Sequence, residues 1–347
     1  MATTNIIGLA QPTNAIEVVN VDSEFGDQLE TIVNFITSIE TIERAKLGLP
    51  KSSELSAMAL DLQNHQMRVE LNKNIKADSG WFDAYSTIMR IIGLPPVNPG
   101  EEDGIYIADW NAITAMVSKM DIQDKKVSMA IRRGHSYGSQ ALRRLTELYK
   151  NERASNENGI PLSVYSIVLS KEDTILMEIR GGSNLSGGHM TMPAASLIAT
   201  RQKDGRYVFD PHQGIYNKII EEIGLDPNVH RFSVKGIIGI FDDFQCANAG
   251  LLYLTTTDHT EDELAKICRE NKNAQHTGIY FIGAKGLGEY IVKNADLNPN
   301  PGLKVDPNRK LIHSAVATLM PFLDSRDSKA ADRVMSRLEP VYSYQRR

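Results

Sequence analysis

Residues 187–254 decide the reading of this chain: GGHMTM at 187–192, RYVFDPHQG at 206–214 and RFSVKGIIGIFDDFQCANAGLLYL at 231–254. They carry a histidine after two glycines (His189), an acid between an apolar step and a proline (Asp210), and a cysteine ahead of an apolar run (Cys246). A thiol, an imidazole and a carboxylate make a nucleophile, its base and the group that orients the base. Upstream, apolar residues recur with helical spacing. Within the segment they alternate or run continuously, as in strands. The expected fold class is α+β: a helical N-terminal region followed by a small mixed sheet flanked by helices.

Working outward, Ile32, Ile36, Ile39 and Ile42 give the helical period after Glu24. Further helices are expected to about Ile75, from Ser79 to Ile92, from Asp109 to Met120 and from Asp124 to Asn151. The run LPPVNPGEEDG reads as a loop. PLSVYSIVLS and TILMEIRG read as strands around the turn-like KED. His189 starts a hairpin that ends at YVF, and Tyr216–Ile223 reads as a short helix. RFSVKGIIGIF reads as one or two strands, and Cys246–Thr256 as a helix. Beyond it come a helix at Glu261–Glu270, the strand GIYFIG, and a helix at Lys285–Lys293. After a loop, Lys310–Leu323 and Ser328–Leu338 are helical, and YSYQRR reads as a frayed tail. The expected regions are thus 1–23 as a flexible head, 24–150 helical, 160–300 catalytic, and 301–347 as C-terminal helices and tail.

The totals bound the function. The 347 residues are enough for one large or two ordinary domains. A net charge of -5 argues against a general nucleic-acid binder. No apolar run approaches the roughly 18 residues of a membrane span. Cys246 and Cys268 have neither disulfide-framework nor metal-ligand spacing, so no metal site is expected. Cys268, inside ELAKICREN, reads as packing. The polar head MATTNIIGLAQPTNAIEVVN lacks the basic start and apolar middle of a common secretory signal. It reads as a frayed terminus or as a signal for a specialised bacterial export system.

At the start of a helix, Cys246 would have a depressed pKa and backbone N–H groups ready for an oxyanion. Gln245 or Gln213 would add a donor. Asp242 and Asp243 would oppose the thiolate unless they point away or act as helix caps. Asp210 would hold the imidazole of His189; its bland alternative is a turn aspartate before proline.

The order His189, Phe209-Asp210-Pro211, Arg231-Phe232-Ser233-Val234 and Cys246 resembles the YopJ-type effectors. These are serine, threonine and lysine acetyltransferases on a fold related to the ubiquitin-like-protein proteases. IYFIGAKGLGEYIVKNADLNPN resembles that family's later strand-loop-helix segment. The resemblance spans roughly residues 160–300. It implies a ubiquitin-like-protease-like core, with Cys246 as acyl-accepting nucleophile, His189 as base and Asp210 as orienter. It also implies acetyl-CoA as donor, a host protein as acceptor and inositol hexakisphosphate as activator. Lys285, Lys293, Lys304, Arg309 and Lys310 would meet that activator. Type III secretion into the host cell cytoplasm would follow. One departure is that Ile240 is followed by Phe241, where the family leads toward a glutamine.

Four alternatives stay open. The same triad would serve a cysteine protease. Gly134-His135-Ser136-Tyr137-Gly138 fits the G-x-S-x-G elbow of serine hydrolases, though Arg132 and Arg133 sit where a buried strand is needed. A YopT-like papain-type protease would need a nucleophile well before His189, and only serines such as Ser136 or Ser139 stand there. The last is a decayed enzyme that serves as an interaction protein.

Overall fold

The computed structural model describes residues 4–20, 113–135, 160–180, 189–197, 200–201, 207–243, 248–272, 276–297, 310–339 and 341–347. In chain order the strands are β1 (Thr4–Thr13), β2 (Ile16–Asn20), β3 (Ile113–Gln123), β4 (Lys126–His135), β5 (Ile160–Leu169), β6 (Thr174–Arg180), β7 (Met190–Thr191), β8 (Ala194–Ser196), β9 (Thr200–Arg201), β10 (Tyr207–Val208), β11 (Phe232–Asp243), β12 (Asn248–Thr257), β13 (His276–Gly283) and β14 (Tyr342–Arg346). The helices are α1 (Pro211–Lys218), α2 (Glu261–Glu270), α3 (Leu287–Asn294), α4 (His313–Arg326) and α5 (Ser328–Leu338). A π-helical turn at Ile219–Ile223 extends α1. Among the described residues strand dominates. That overturns the expected fold class, both the helical N-terminal region with a small sheet and the ubiquitin-like-protease-like core. The helices expected between residues 24 and 112 lie outside the described residues.

The chain divides into two compact units: Met1–Val18, Met120–Met129 and Leu162–Arg347 form one, and Val19–Lys119 with Ala130–Pro161 the other. In the second, Met116 and Val117 of β3 pair antiparallel with Pro161 and Ile160.

The first unit is built on a mixed sheet in the order β14-β1-β11-β12-β5. β11 runs antiparallel to β1 and β12, while β1–β14 and β12–β5 are parallel. The far end of β5 pairs with β6, which also pairs with β13 and β7, and the middle of β5 pairs with β8. The central strand segment Gly236–Phe241 is buried throughout, because helices cover both faces. On one face α4 lies against Gly239, where a Cβ would meet Pro321 Cγ at 2.9 Å. The absence of that Cβ sets how closely the helix approaches. Residues 313–323 of α4 are buried on all sides, as an all-round apolar helix requires. On the other face, α1 brings Gly214 against Leu197 and Val164.

Four local expectations change. The head read as unfolded is β1, with Ile6 and Leu9 in the core. Of its polar residues Thr4 is buried, while Asn5 and Gln11 stay exposed. Residues 113–135, read as parts of two helices, form the β3 and β4 hairpin. Met, Ala and Lys favour helix there, yet Val127, Met129 and Ile131 are buried in strict alternation, and that period prevails. The two-residue turn has φ of 49° at Asp124 and 62° at Lys125, the left-handed pair that a tight hairpin needs. The helix expected over Cys246–Thr256 is also overturned from Asn248 onward. Asn248–Thr257 is β12, and Thr255, Thr256 and Thr257 favour the strand. The tail YSYQRR is not frayed either, since β14 pairs with β1 and Arg346 bonds Asp324 and Asp332 at 2.7 and 2.8 Å.

Ile6→Ala should cost about 3 kcal/mol in denaturant unfolding; no change would mean that the head packs on nothing. Lys125→Gly should stabilise by about 1 kcal/mol, because the left-handed conformation penalises a side chain. A lower thermal midpoint in that variant would contradict the turn geometry.

Candidate functional site

β11 ends in two acids, and the pleat sends them to opposite faces. Asp242 accepts a bond from Asn5 Nδ2 at 2.7 Å on the outer side. Burial raises its carboxyl above the ordinary range, the Asn5 bond opposes this, and the charge of Asp243 adds to it. Asp243 points inward and is 1 % exposed. There its Oδ2 accepts the Thr4 hydroxyl at 2.8 Å and lies 3.5 Å from His313 Nδ1. Thr4 Oγ1 is 3.2 Å from the same ring nitrogen. His313 opens α4, and its ring packs 5.1 Å from that of Tyr342.

The protons follow from this geometry. Thr4 gives its hydroxyl proton to Asp243, so its oxygen is left to accept. His313 Nδ1 is therefore the donor, with the carboxylate behind it. In the neutral ring the lone pair then sits on Nε2, which is buried and has no hydrogen-bond partner among the described residues. A carboxylate-backed imidazole with a bare Nε2 is the arrangement of a general base. Cys246 lies outside the described residues, in the connection between Asp243 and Asn248, which are paired across β11 and β12.

The residues chosen from sequence are distributed as follows. His189 stands half-buried just before β7. Asp210 caps α1, with Oδ1 accepting Gln213 N–H at 3.0 Å. Burial first, and then the charge of Asp210, raise the phenol of Tyr253. Gln213 is exposed and gives its amide to Asn217 Oδ1 at 2.6 Å. Asp210 is thus a helix cap, where the alternative reading was a turn aspartate before proline. Gln245, Lys304 and Arg309, like Ser136 and Ser139, lie outside the described residues. Lys285, Lys293 and Lys310 are exposed. Backbone bonds bring three of these stretches together: Lys310 N–H donates to Asn294 O, and Met190 N–H to Lys310 O. His189, Lys293 and Lys310 are therefore grouped by their neighbours, which sequence spacing did not reveal. Cys268 is sealed in the core, where burial, with Glu178 nearby, pushes its thiol up to about 12. The strand wanted before Ser136 exists, since β4 ends at His135, but it is half of a tight hairpin rather than a parallel central strand.

Sequence reasoning missed His313 and Thr4, and it gave Asp243 no catalytic part, reading it as a repulsive charge unless it pointed away or capped a helix. His313 lacks any flanking glycine or strand signal. The one cue was two adjacent acids ending an apolar strand, of which the pleat must bury one.

No protein-family model matches the chain, and neither does any curated protein. Among solved structures, it is similar to a bifunctional NMN adenylyltransferase/ADP ribose pyrophosphatase from Francisella tularensis, at 13% identity and a TM-score of 0.30. That match covers 55% of this chain and 48% of the other, so the chain spans about half the length of that protein. It is also similar to a Nudix hydrolase, RenU, from M. smegmatis, at 9% identity and a TM-score of 0.27, covering 48% of this chain and 86% of that one. Nothing about this chain's activity follows from these likenesses.

Two measurements check the electrostatics. A raised Asp242 pKa means that the folded state holds its proton more tightly than the unfolded state. Stability from this group is then present at low pH and lost as pH rises through and above 3.8. Asp242→Asn should accordingly be more stable than the parent at pH 7, and the gap should close below about pH 4. A parent that is the more stable at pH 7 would reverse the sign. Cys268 should resist alkylation at pH 8 in the folded chain and react at once in denaturant, read by mass spectrometry of the Cys268 peptide.

Proposed function

We propose that this chain transfers an acyl group through the thiol of Cys246, from acetyl-CoA to hydroxyl or amine side chains of a host protein. The observation that supports it is the buried Asp243–Thr4–His313 cluster at the end of the strand that leads to Cys246. Its protonation leaves a basic nitrogen backed by a carboxylate, which is what a thiol needs to become a nucleophile.

In this reading His313 Nε2 takes the proton from Cys246. The thiolate attacks the acetyl carbonyl, the bond to the coenzyme sulfur breaks, and CoA leaves with a proton returned to it. The acceptor's oxygen or nitrogen then attacks the Cys246 thioester, while His313 removes the acceptor's proton. Asp243 stabilises the imidazolium that forms in each half. The helix dipole expected to assist Cys246 has no part here, because the chain beyond Asn248 is strand. His189 and Asp210 keep the roles first read for them only as the rival assignment, since Asp210 already serves as a helix cap. Delivery by type III secretion, and stimulation by inositol hexakisphosphate at Lys285, Lys293 and Lys310 with Lys304 and Arg309, belong to the same proposal.

Radioactive acetyl-CoA should label the full chain, and Cys246→Ala should abolish the label. His313→Gln and Asp243→Asn should slow labelling by roughly 10²–10⁴-fold, with unfolding midpoints measured alongside to separate chemistry from folding. His189→Ala and Asp210→Asn should leave labelling near the parent rate. The reverse pattern would restore the first assignment. Labelling that survives Cys246→Ala would overturn the thiol mechanism. A fluorophosphonate adduct on Ser136 would favour a serine hydrolase, and Cys246-dependent peptide cleavage without acetyl transfer would favour a protease.

A further inference from the structure

At the end of the sheet away from Asp243, two loops close the β11–β12 pair, and each carries a histidine. Asp258 N–H and the Thr257 hydroxyl both donate to Arg231 O, at 3.3 and 3.0 Å, which ties the loops together. The rings of His230 and His259 meet edge to face, with centroids 5.2 Å apart and planes at 76°. Both residues are half-buried.

His230 closes its own turn. Its Nδ1 accepts the Asp226 N–H at 3.0 Å, and its backbone N–H donates to Asp226 O at 2.7 Å. The Asp226 N–H also reaches Gly224 O at 3.0 Å, so the ring takes one share of a forked bond. An acceptor nitrogen carries no proton, which leaves the ring neutral with its hydrogen on Nε2. A second proton has to enter at Nδ1, where it would face a donor. The acid of the turn, Asp226, already has Oδ1 taken by the N–H and the side-chain amide of Asn228, at 2.8 and 2.9 Å.

His259 has different company. Its Nδ1 lies 3.6 Å from Glu263 Oε2. The Thr260 N–H, bonded to that oxygen at 2.8 Å, holds the Glu263 carboxyl below the ordinary range, so it stays charged in mild acid. The His259 Nε2 is buried and has no hydrogen-bond partner among the described residues. Its carbonyl accepts the Lys171 N–H at 2.8 Å, which brings in the turn between β5 and β6. Glu172 of that turn is taken by the Glu261 N–H at 2.8 Å. Lys171, Arg231 and Asp258 are exposed, where solvent and salt screen them. An anion thus faces His259, while a donor faces His230. Charge on His259 is tolerated. Charge on His230 breaks a bond, and it repels the neighbouring ring once that ring is charged too.

We propose that His230 and His259 form an acid-operated latch: with His230 neutral the 224–231 loop is held against the 257–260 loop, and protonation of His230 releases it. A closed state that excludes a proton loses population as pH falls. The latch uses none of the groups proposed for acyl transfer.

Imidazole side chains change charge between about pH 5 and 8, so the test compares the two ends of that range by NMR of the full chain. At the upper end, long-range nitrogen–proton correlation should place the hydrogen of His230 on Nε2. Between the two ends the Asp226 amide, corrected for the intrinsic pH dependence of exchange, should lose about tenfold in protection. His230→Asn sets a permanent acceptor, Oδ1, where Nδ1 stands, and should hold protection within about twofold over the same range. His230→Phe keeps a ring without the acceptor and should show low protection at both ends. A hydrogen on Nδ1 of His230, parent protection that is unchanged in acid, or an equal loss in His230→Asn would overturn the proposal. The first two are read on the parent alone, so they decide the matter even if a variant does not fold.

Discussion

One threonine hydroxyl has to satisfy a buried carboxylate and a buried imidazole at once. Thr4, Asp243 and His313 are each at most 8% exposed, and an unpaired charge at such depth costs several kcal/mol. The three residues come from β1, β11 and α4, so those elements must seat together or leave the charge uncompensated. Neighbouring bonds lock the same corner. Thr4 N–H donates to Val341 O, and the Tyr342 hydroxyl donates to Asp296 O at 2.9 Å. The apolar packing of α4 on the sheet supplies stability without direction. The polar contact adds register, because a slip of one residue along β1 would turn Thr4 away from the acid.

The later part of the chain was largely legible. The helical period placed α2, α3, α4 and α5, and the Thr260 capping box at α2 is a signal that reads locally. The strands β5, β6, β11 and β13 were equally visible as β-branched apolar runs. The failures share a cause. Residues 113–135 contain good helix formers on a two-residue period, and ANAGLLYL contains leucine and alanine on no period at all. In both places pairing with a distant strand outweighed intrinsic preference. The pairing itself was hidden, since β12 finds its parallel partner β5 well before it in the chain.

The site was less legible than the fold. Asp210 read as an acid poised for an imidazole because it stood between a strand and a proline. That same position is where a helix cap belongs, and the cap is what it forms. Asp243 looked like a hindrance to the thiol unless it pointed away, and no local signal said which way it points or what it meets. The pleat separates it from Asp242, turning one toward Asn5 and the other toward His313. No spacing rule links His313 to Thr4, which lies 309 residues away in the chain.

The neighbours of β1 carry a consequence for how this sheet is born. Thr4 meets Asp243 across 239 residues, and Asn5 meets Ser343 across 338. On the ribosome, the first strand emerges long before either flank exists, with its Ile6 and Leu9 uncovered. Loops of such length are costly to close, so assembly of this edge is a late and slow event. Until then an apolar ribbon is on offer to any open sheet nearby, and a chaperone or rapid synthesis has to keep it single.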